Sequence, residues 1–181
     1  GNSIMNYEMS NNFNYEMNKL TIITIILIFL VVLFTFKSLI ISFILVLLIQ
    51  CAVYILMGII NILDMKVYYL SLLIVQSILM GATIDYAILF TNYYRELRKE
   101  NSIRISLKET YNKSIHTILT SSLIMIIITG VLGFIFKDPA IGEICHIIAI
   151  GVTIAVLLIL FVLPGIITLF DKIIIKSNNY S

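Results

Sequence analysis

Only one acidic residue sits deep inside a long apolar run of this chain: Asp85, in Gly81-Ala82-Thr83-Ile84-Asp85-Tyr86. An ionised Asp at the centre of a membrane helix costs roughly 2.5–3.5 kcal/mol on insertion scales, so acids placed there usually have a task. Low-dielectric surroundings disfavour the charged form of a carboxyl, so such a group can be neutral facing one side and ionised facing the other. The chemistry this position offers is proton carriage. A structural acid, hydrogen-bonded to hydroxyls and fixing helix register, is the plainer alternative, and spacing alone leaves it open. At 3.6 residues per turn, Ser77, Gly81, Asp85 and Asn92 fall within an arc of about 80° on one helix face. Gly81, one turn from Asp85, leaves space for a neighbouring backbone or for water. Tyr86 lies about 100° around the helix from Asp85, and is a relay partner or a packing residue.

Matching polar stripes occur in other runs. Gln50, Tyr54, Gly58 and Asn61 share one face, and Thr117, Thr120 and Ser121 share another. Together they are expected to line a polar seam inside a helix bundle around Asp85. Gly130, Gly133 and the pair Gly151/Ala155 offer close-packing surfaces of the small-xxx-small kind. Tyr68, Tyr69, Tyr93 and Tyr94 bracket one run as an interfacial aromatic belt would. No metal site is expected: His116 and His146 fall at opposite membrane faces, and Glu143, Cys145 and His146 lack a fourth ligand. Cys51 lies mid-run and Cys145 near a run's start, so they differ in depth and are not expected to pair. Intramembrane aspartyl proteolysis needs two acids at one depth, whereas Asp64 and Asp171 lie at run ends. Neither an enzyme nor a cofactor is implied.

These residues are positioned by helices. The chain has 181 residues, 60% of them hydrophobic and only 12% charged, with a mean hydropathy of +1.07. Soluble domains carry about twice that charge, so a water-soluble globule, a disordered chain and a nucleic-acid binder are excluded. The apolar runs are continuous rather than alternating, which favours helices over a barrel. Five segments are long enough to cross a hydrocarbon core of roughly 30 Å: Leu20–Phe36, Leu39–Leu63, Tyr68–Tyr94, Thr117–Phe136 and Ile144–Phe170. The expected fold is an all-α, polytopic membrane bundle of five transmembrane helices. Residues 95–116 mix charges three or four apart and read as a solvated connector containing a surface helix.

Basic residues in the short loops orient the chain. Lys37, Arg95, Arg98, Lys99, Arg104, Lys108, Lys113, Lys172 and Lys176 fall on one side, against Lys19, Lys66 and Lys137 on the other. This places the N-terminus outside and the C-terminus in the cytoplasm. Residues 1–19 hold Glu8 and Glu16, lack a basic start, and do not read as a signal peptide. With no methionine at residue 1, the chain reads as a fragment whose residues 20–172 form one membrane domain and whose residues 173–181 form a cytoplasmic tail. Abundant Ile, Asn and Lys suggest an AT-rich bacterial genome, hence a multi-pass protein of the bacterial cytoplasmic (inner) membrane.

Several stretches resemble one known superfamily. G-A-T-I-D-Y-A-I-L-F-T-N-Y-Y-R-E-L-R-K-E (81–100) resembles the G-x-x-x-D-Y helix and following R-E loop of the resistance-nodulation-division (RND) superfamily, in its MMPL-type branch. F-T-F-K-S-L (34–39) resembles that branch's tight aromatic-basic-Ser turn. T-S-S-L-I-M-I-I-I-T-G-V-L-G-F (120–134) resembles its Thr/Ser-then-Gly helix. I-G-E-I-C-H-I-I-A-I-G-V-T-I-A-V (141–156) and L-P-G-I-I (163–167) resemble its last helix. The order and spacing agree over roughly residues 20–172.

The resemblance implies the C-terminal membrane half of a proton-motive-force-driven exporter of lipids or other hydrophobic molecules. It makes Asp85 and Tyr86 a proton-relay pair, lined by Ser77, Gly81, Asn92, Thr120 and Ser121. It implies, as partners, a missing N-terminal half carrying a second Asp-Tyr pair, the lipid bilayer, a hydrophobic substrate and protons; a homo-oligomer is a further expectation. Residues 1–19 would be the exit from an extracytoplasmic domain. A sterol-sensing-like module that binds lipid and regulates a partner is one alternative, and an accessory subunit of a protein translocase is another.

Overall fold

The computed structural model describes the backbone of residues 2–63, 67, 69–136, 138–172 and 174, and side chains from residue 18 onward within these except 69, 70, 139 and 140. All its regular elements are helical: α1 (Asn2–Phe36), α2 (Leu39–Ile62), α3 (Tyr69–Leu97), α4 (Ile103–Ile135), α5 (Pro139–Leu157), a π-helical turn (Leu158–Val162) and α6 (Leu163–Leu169). Five stretches are long and apolar enough to cross a membrane: Asn18–Phe36, Leu39–Ile62, Ser71–Leu97, Ile103–Ile135 and Ile141–Leu169. The last joins α5, the π-helical turn and α6 into one span. Expected spans and observed helices coincide one to one.

Two boundaries differ from expectation. No separate surface helix fills residues 95–116. Instead α3 runs on to Leu97, residues 98–102 turn the chain, and α4 begins at Ile103. From there to Thr129 the sequence has no glycine or proline to stop it, so a helix once started propagates into the apolar part. At 33 residues it is about 50 Å long at 1.5 Å per residue, well beyond a core of roughly 30 Å. The second difference is α1, whose helix extends through residues 2–19 without a break.

The turn between α1 and α2 is as short as the sequence suggests. Lys37 takes φ 51°, the left-handed region, and Ser38 is extended. Two residues thereby reverse the chain. Just beyond, Ser42 Oγ donates to the Ser38 carbonyl at 2.9 Å.

α3 is the hub, touching α1, α2, α4 and α5, while α2 and α5 complete the centre. Gly151 makes that centre possible: a Cβ there would stand 3.0 Å from Leu56 Cδ2 of α2 and 3.1 Å from Leu79 Cδ2 of α3. Gly133 does the same between α4 and α5, where an added Cβ would meet His146 Nδ1 at 2.5 Å. His146 lies edge-on to Phe134, 4.8 Å between ring centroids, and its Nδ1–H donates to the Gly142 carbonyl at 2.7 Å. The expected role of Gly130 in close packing is not seen, since open space surrounds its Cβ position.

Pro164 has no N–H to offer the Leu160 carbonyl four residues back. Tyr111 of α4 reaches across and donates its hydroxyl to that carbonyl. Phe90 of α3 packs edge-on against the same tyrosine, 5.3 Å between centroids.

Candidate functional site

The α3 stripe lies where the periodicity puts it, on one face, but that face is not inside the bundle. Ser77, Gly81, Asp85 and Asn92 are all exposed. The reason is the pattern on the other side of the same helix. Val75, Leu79, Met80, Ala87 and Phe90 are buried against the core, which turns the polar stripe away from it. Tyr86, about a quarter-turn round, is half-buried and packs against the hydrophobic core.

The other polar stripes face outward too. Thr117, Thr120 and Ser121 are exposed, and so are Tyr54, Gly58 and Asn61, with Gln50 half-buried. The expected seam inside the bundle is therefore corrected to an outer polar face. On α4 the buried hydroxyls are instead Ser106, Thr110, Ser114 and Ser122, a four-residue spacing that apolar periodicity does not flag. The Phe90–Tyr111 contact sets the antiparallel register: nine residues along each helix from it, Thr120 stands level with Gly81. Gly81 has nothing within 4 Å of its Cβ position, so it leaves an open notch beside the acid.

Ser77 Oγ donates to the Leu73 carbonyl at 3.0 Å, and the buried Thr83 and Thr91 donate to Leu79 and Ala87 at 2.6 and 2.8 Å. Each hydroxyl spends its proton within the helix and keeps its lone pairs. The stripe thus presents the Ser77 hydroxyl oxygen and the Asp85 carboxyl on a surface that in lipid has no water to satisfy them.

Three turns along α3 the polar groups are handled in the opposite way. Asp171, just past α6, is buried, and Tyr94 is fully so. Tyr94 Oη donates to Asp171 Oδ1 at 2.6 Å. Arg98 grips both carboxylate oxygens, Nε to Oδ1 at 3.0 Å and Nη2 to Oδ2 at 3.0 Å. Its Nη1 donates to the Asn101 carbonyl at 2.7 Å, closing the α3–α4 turn. These hydrogen bonds to Asp171 hold the Arg98 pKa above its ordinary value, with burial acting against them. Arg95 Nη1 meets the Phe36 carbonyl at 3.3 Å, and its guanidinium lies over the Phe36 ring at 5.4 Å. That places a cation at the C-terminal end of α1, where the helix dipole favours one.

Tyr94 is therefore not part of an interfacial belt. It is a core residue fixed by Asp171, which the sequence placed only as a span-end acid. Tyr68, Lys66, Lys137 and Lys176 lie outside the described residues, as does the side chain of Tyr69. Nothing in the spacing could have paired Arg98 with Asp171, 73 residues apart. The available signal was an Arg and an Asp just past the C-terminal ends of two spans that run in the same direction.

The MMPL family model matches residues 1–178, nearly the whole chain. A comparison with curated proteins gives no match.

Proposed function

This chain belongs to the MMPL family, a transporter family of the RND superfamily, and on that premise we propose that it is the C-terminal membrane half of a proton-motive-force-driven exporter of lipids or other hydrophobic molecules. Asp85 carries the proton and Tyr86 is its relay partner. The observation that supports this most is the exposure of Asp85. Facing lipid, an ionised carboxylate costs roughly 2.5–3.5 kcal/mol. Facing a second membrane half across a narrow wet seam, it is accessible to protons and shielded from hydrocarbon. Gly81 and the exposed hydroxyls of Ser77, Thr120 and Ser121 would line that seam, and Asn92 would line the way out.

In this mechanism Asp85 takes a proton from the outer side. Neutralisation removes the cost of a charge between the two halves and lets them rock. Release past Asn92 resets the pair. Each proton delivers about 2.3 kcal/mol per 100 mV of membrane potential, and the cycle transmits that energy to the substrate path of the assembled transporter.

The test is Asp85→Asn in the assembled transporter, with export measured in vesicles under an imposed proton gradient. Loss of gradient-driven export by about 100-fold or more is expected, a factor typical of removing a proton-transfer group, while Tyr86→Phe lowers it without abolishing it. Export at full rate in Asp85→Asn overturns the relay and favours a lipid-binding regulatory module, which has no use for a titrating acid.

A further inference from the structure

A second surface has no part in the Asp85 face. Between α2 and the π-helical turn with α6, with Phe29 of α1 adding to the lining, runs a groove of about 700 Å³. No α3 residue lines it among those described. Its walls are apolar throughout, with Phe29, Phe43, Leu47, Val162 and Phe170 among them, and Cys51 at its far end.

The dimensions point to one kind of occupant. One wall runs from Leu39 to Cys51 and the other from Phe170 back to Leu158. Each is about 18 Å long at 1.5 Å per residue, against roughly 15 Å for half of a 30 Å hydrocarbon core. The groove thus starts at one membrane face and ends near the midplane, which is the depth of a single leaflet. The π-helical turn supplies Leu158 and Val162 to the wall. Such turns widen a helix locally and are frequent at functional sites. Tyr111 satisfies the Leu160 carbonyl of this turn from α4, so the widened shape is held in place.

The mouth adds charge. It opens at the end of the bundle where α1, α3 and α6 finish and α4 begins, the end that holds Lys37, Arg95, Lys99, Arg104 and Lys172 against the exposed Glu96 and Glu100. Lys37 is exposed two residues before Leu39, and Lys172 is exposed two residues after Phe170. Lys37 is presented by its left-handed turn. The acid between these positions and the groove, Asp171, is turned inward onto Arg98 and Tyr94. It therefore does not neutralise the mouth.

We propose that this groove holds one acyl chain of an anionic phospholipid from the leaflet at the basic end of the bundle, with Lys37 and Lys172 holding its phosphate. The lipid is a resident of the fold, wedged between α2 and the end of the last span, rather than cargo passing the Asp85 face.

Native mass spectrometry of the full chain tests this, with phosphatidylglycerol and phosphatidylcholine of identical acyl chains as probes. One phosphatidylglycerol should be retained in preference to phosphatidylcholine, whose choline ammonium offsets its phosphate charge beside the lysines, by about fivefold for each lysine at the headgroup. Lys37→Gln with Lys172→Gln should erase that preference while leaving residual binding of both lipids. Leu47→Trp should fill the groove and remove binding of both. A readout on the unaltered chain guards against misfolded variants: phosphatidylglycerol should slow maleimide modification of Cys51, and phosphatidylcholine should do so less. Equal retention of the two lipids overturns the proposal. So does a phosphatidylglycerol preference that survives loss of both lysines, or Cys51 modification that is indifferent to lipid.

Discussion

α3 treats its polar residues in two ways. At its basic end Tyr94, Arg98 and Asp171 satisfy one another with four short hydrogen bonds, counting the one from Arg98 to Asn101. About three turns away Asp85, with Ser77 two turns further on, stands on an open face beside a glycine whose surroundings are empty. A membrane offers no water to a polar group, so each must be satisfied within the chain or against another surface. The first cluster is complete within this chain. The second is complete only if something covers it. Internal closure marks architecture, and the open polar face is where the proposed partner half would sit.

Breaking the closed end should have the largest effect on stability. Arg98→Ala leaves Asp171 buried without its cation and should cost about 3 kcal/mol in detergent unfolding experiments. Replacing both partners with apolar residues, Arg98→Met with Asp171→Leu, should cost less than Arg98→Ala alone, because no unpaired charge remains. A double variant as unstable as the single one would mean that the pair is more than a satisfied buried charge.

Gly151→Val should follow, at about 2 kcal/mol, since the added carbons overlap Leu56 and Leu79 where α5 meets α2 and α3. Tyr111→Phe should cost about 1 kcal/mol by orphaning the carbonyl that Pro164 already leaves without a backbone donor.

The smallest effect on stability sharpens the contrast most. Gly81→Ala should not destabilise the isolated chain, and should raise its stability by at most about 1 kcal/mol, because nothing lies near the added carbon and Ala is the better helix former. In the assembled transporter the same change should depress export if a neighbouring backbone fills the notch. Unaltered export would show that the covering surface keeps its distance from Gly81. A clear loss of stability in the isolated chain would show that the α3 face is already covered, and would remove the distinction between the two regions.

Much of this was written in the chain. Five apolar runs of membrane-spanning length dictate five helices, because a backbone in hydrocarbon must bond to itself. Lys37-Ser38 marked a turn, since two polar residues between such runs leave room for nothing else. Asp85, Ser77, Gly81 and Asn92 were legible as a stripe because helical period is a local property. The start of α4 is less legible. Its charged first turns resemble a solvated connector, and their continuity with the span depends on the absence of any helix breaker.

Which way the Asp85 stripe faces was decided only by packing. Periodicity says that residues share a face, but not whether the neighbouring helices crowd against that face or the one behind it. Here Val75, Leu79 and Phe90 win the interior and leave Asp85 outside. The pairing of Arg98 with Asp171 is likewise tertiary, joining residues 73 apart through the side-by-side ends of two parallel spans. Local sequence fixes conformation and period through backbone geometry. Orientation and partnership are set by how five such cylinders fill space together, and no single stretch of sequence contains that information.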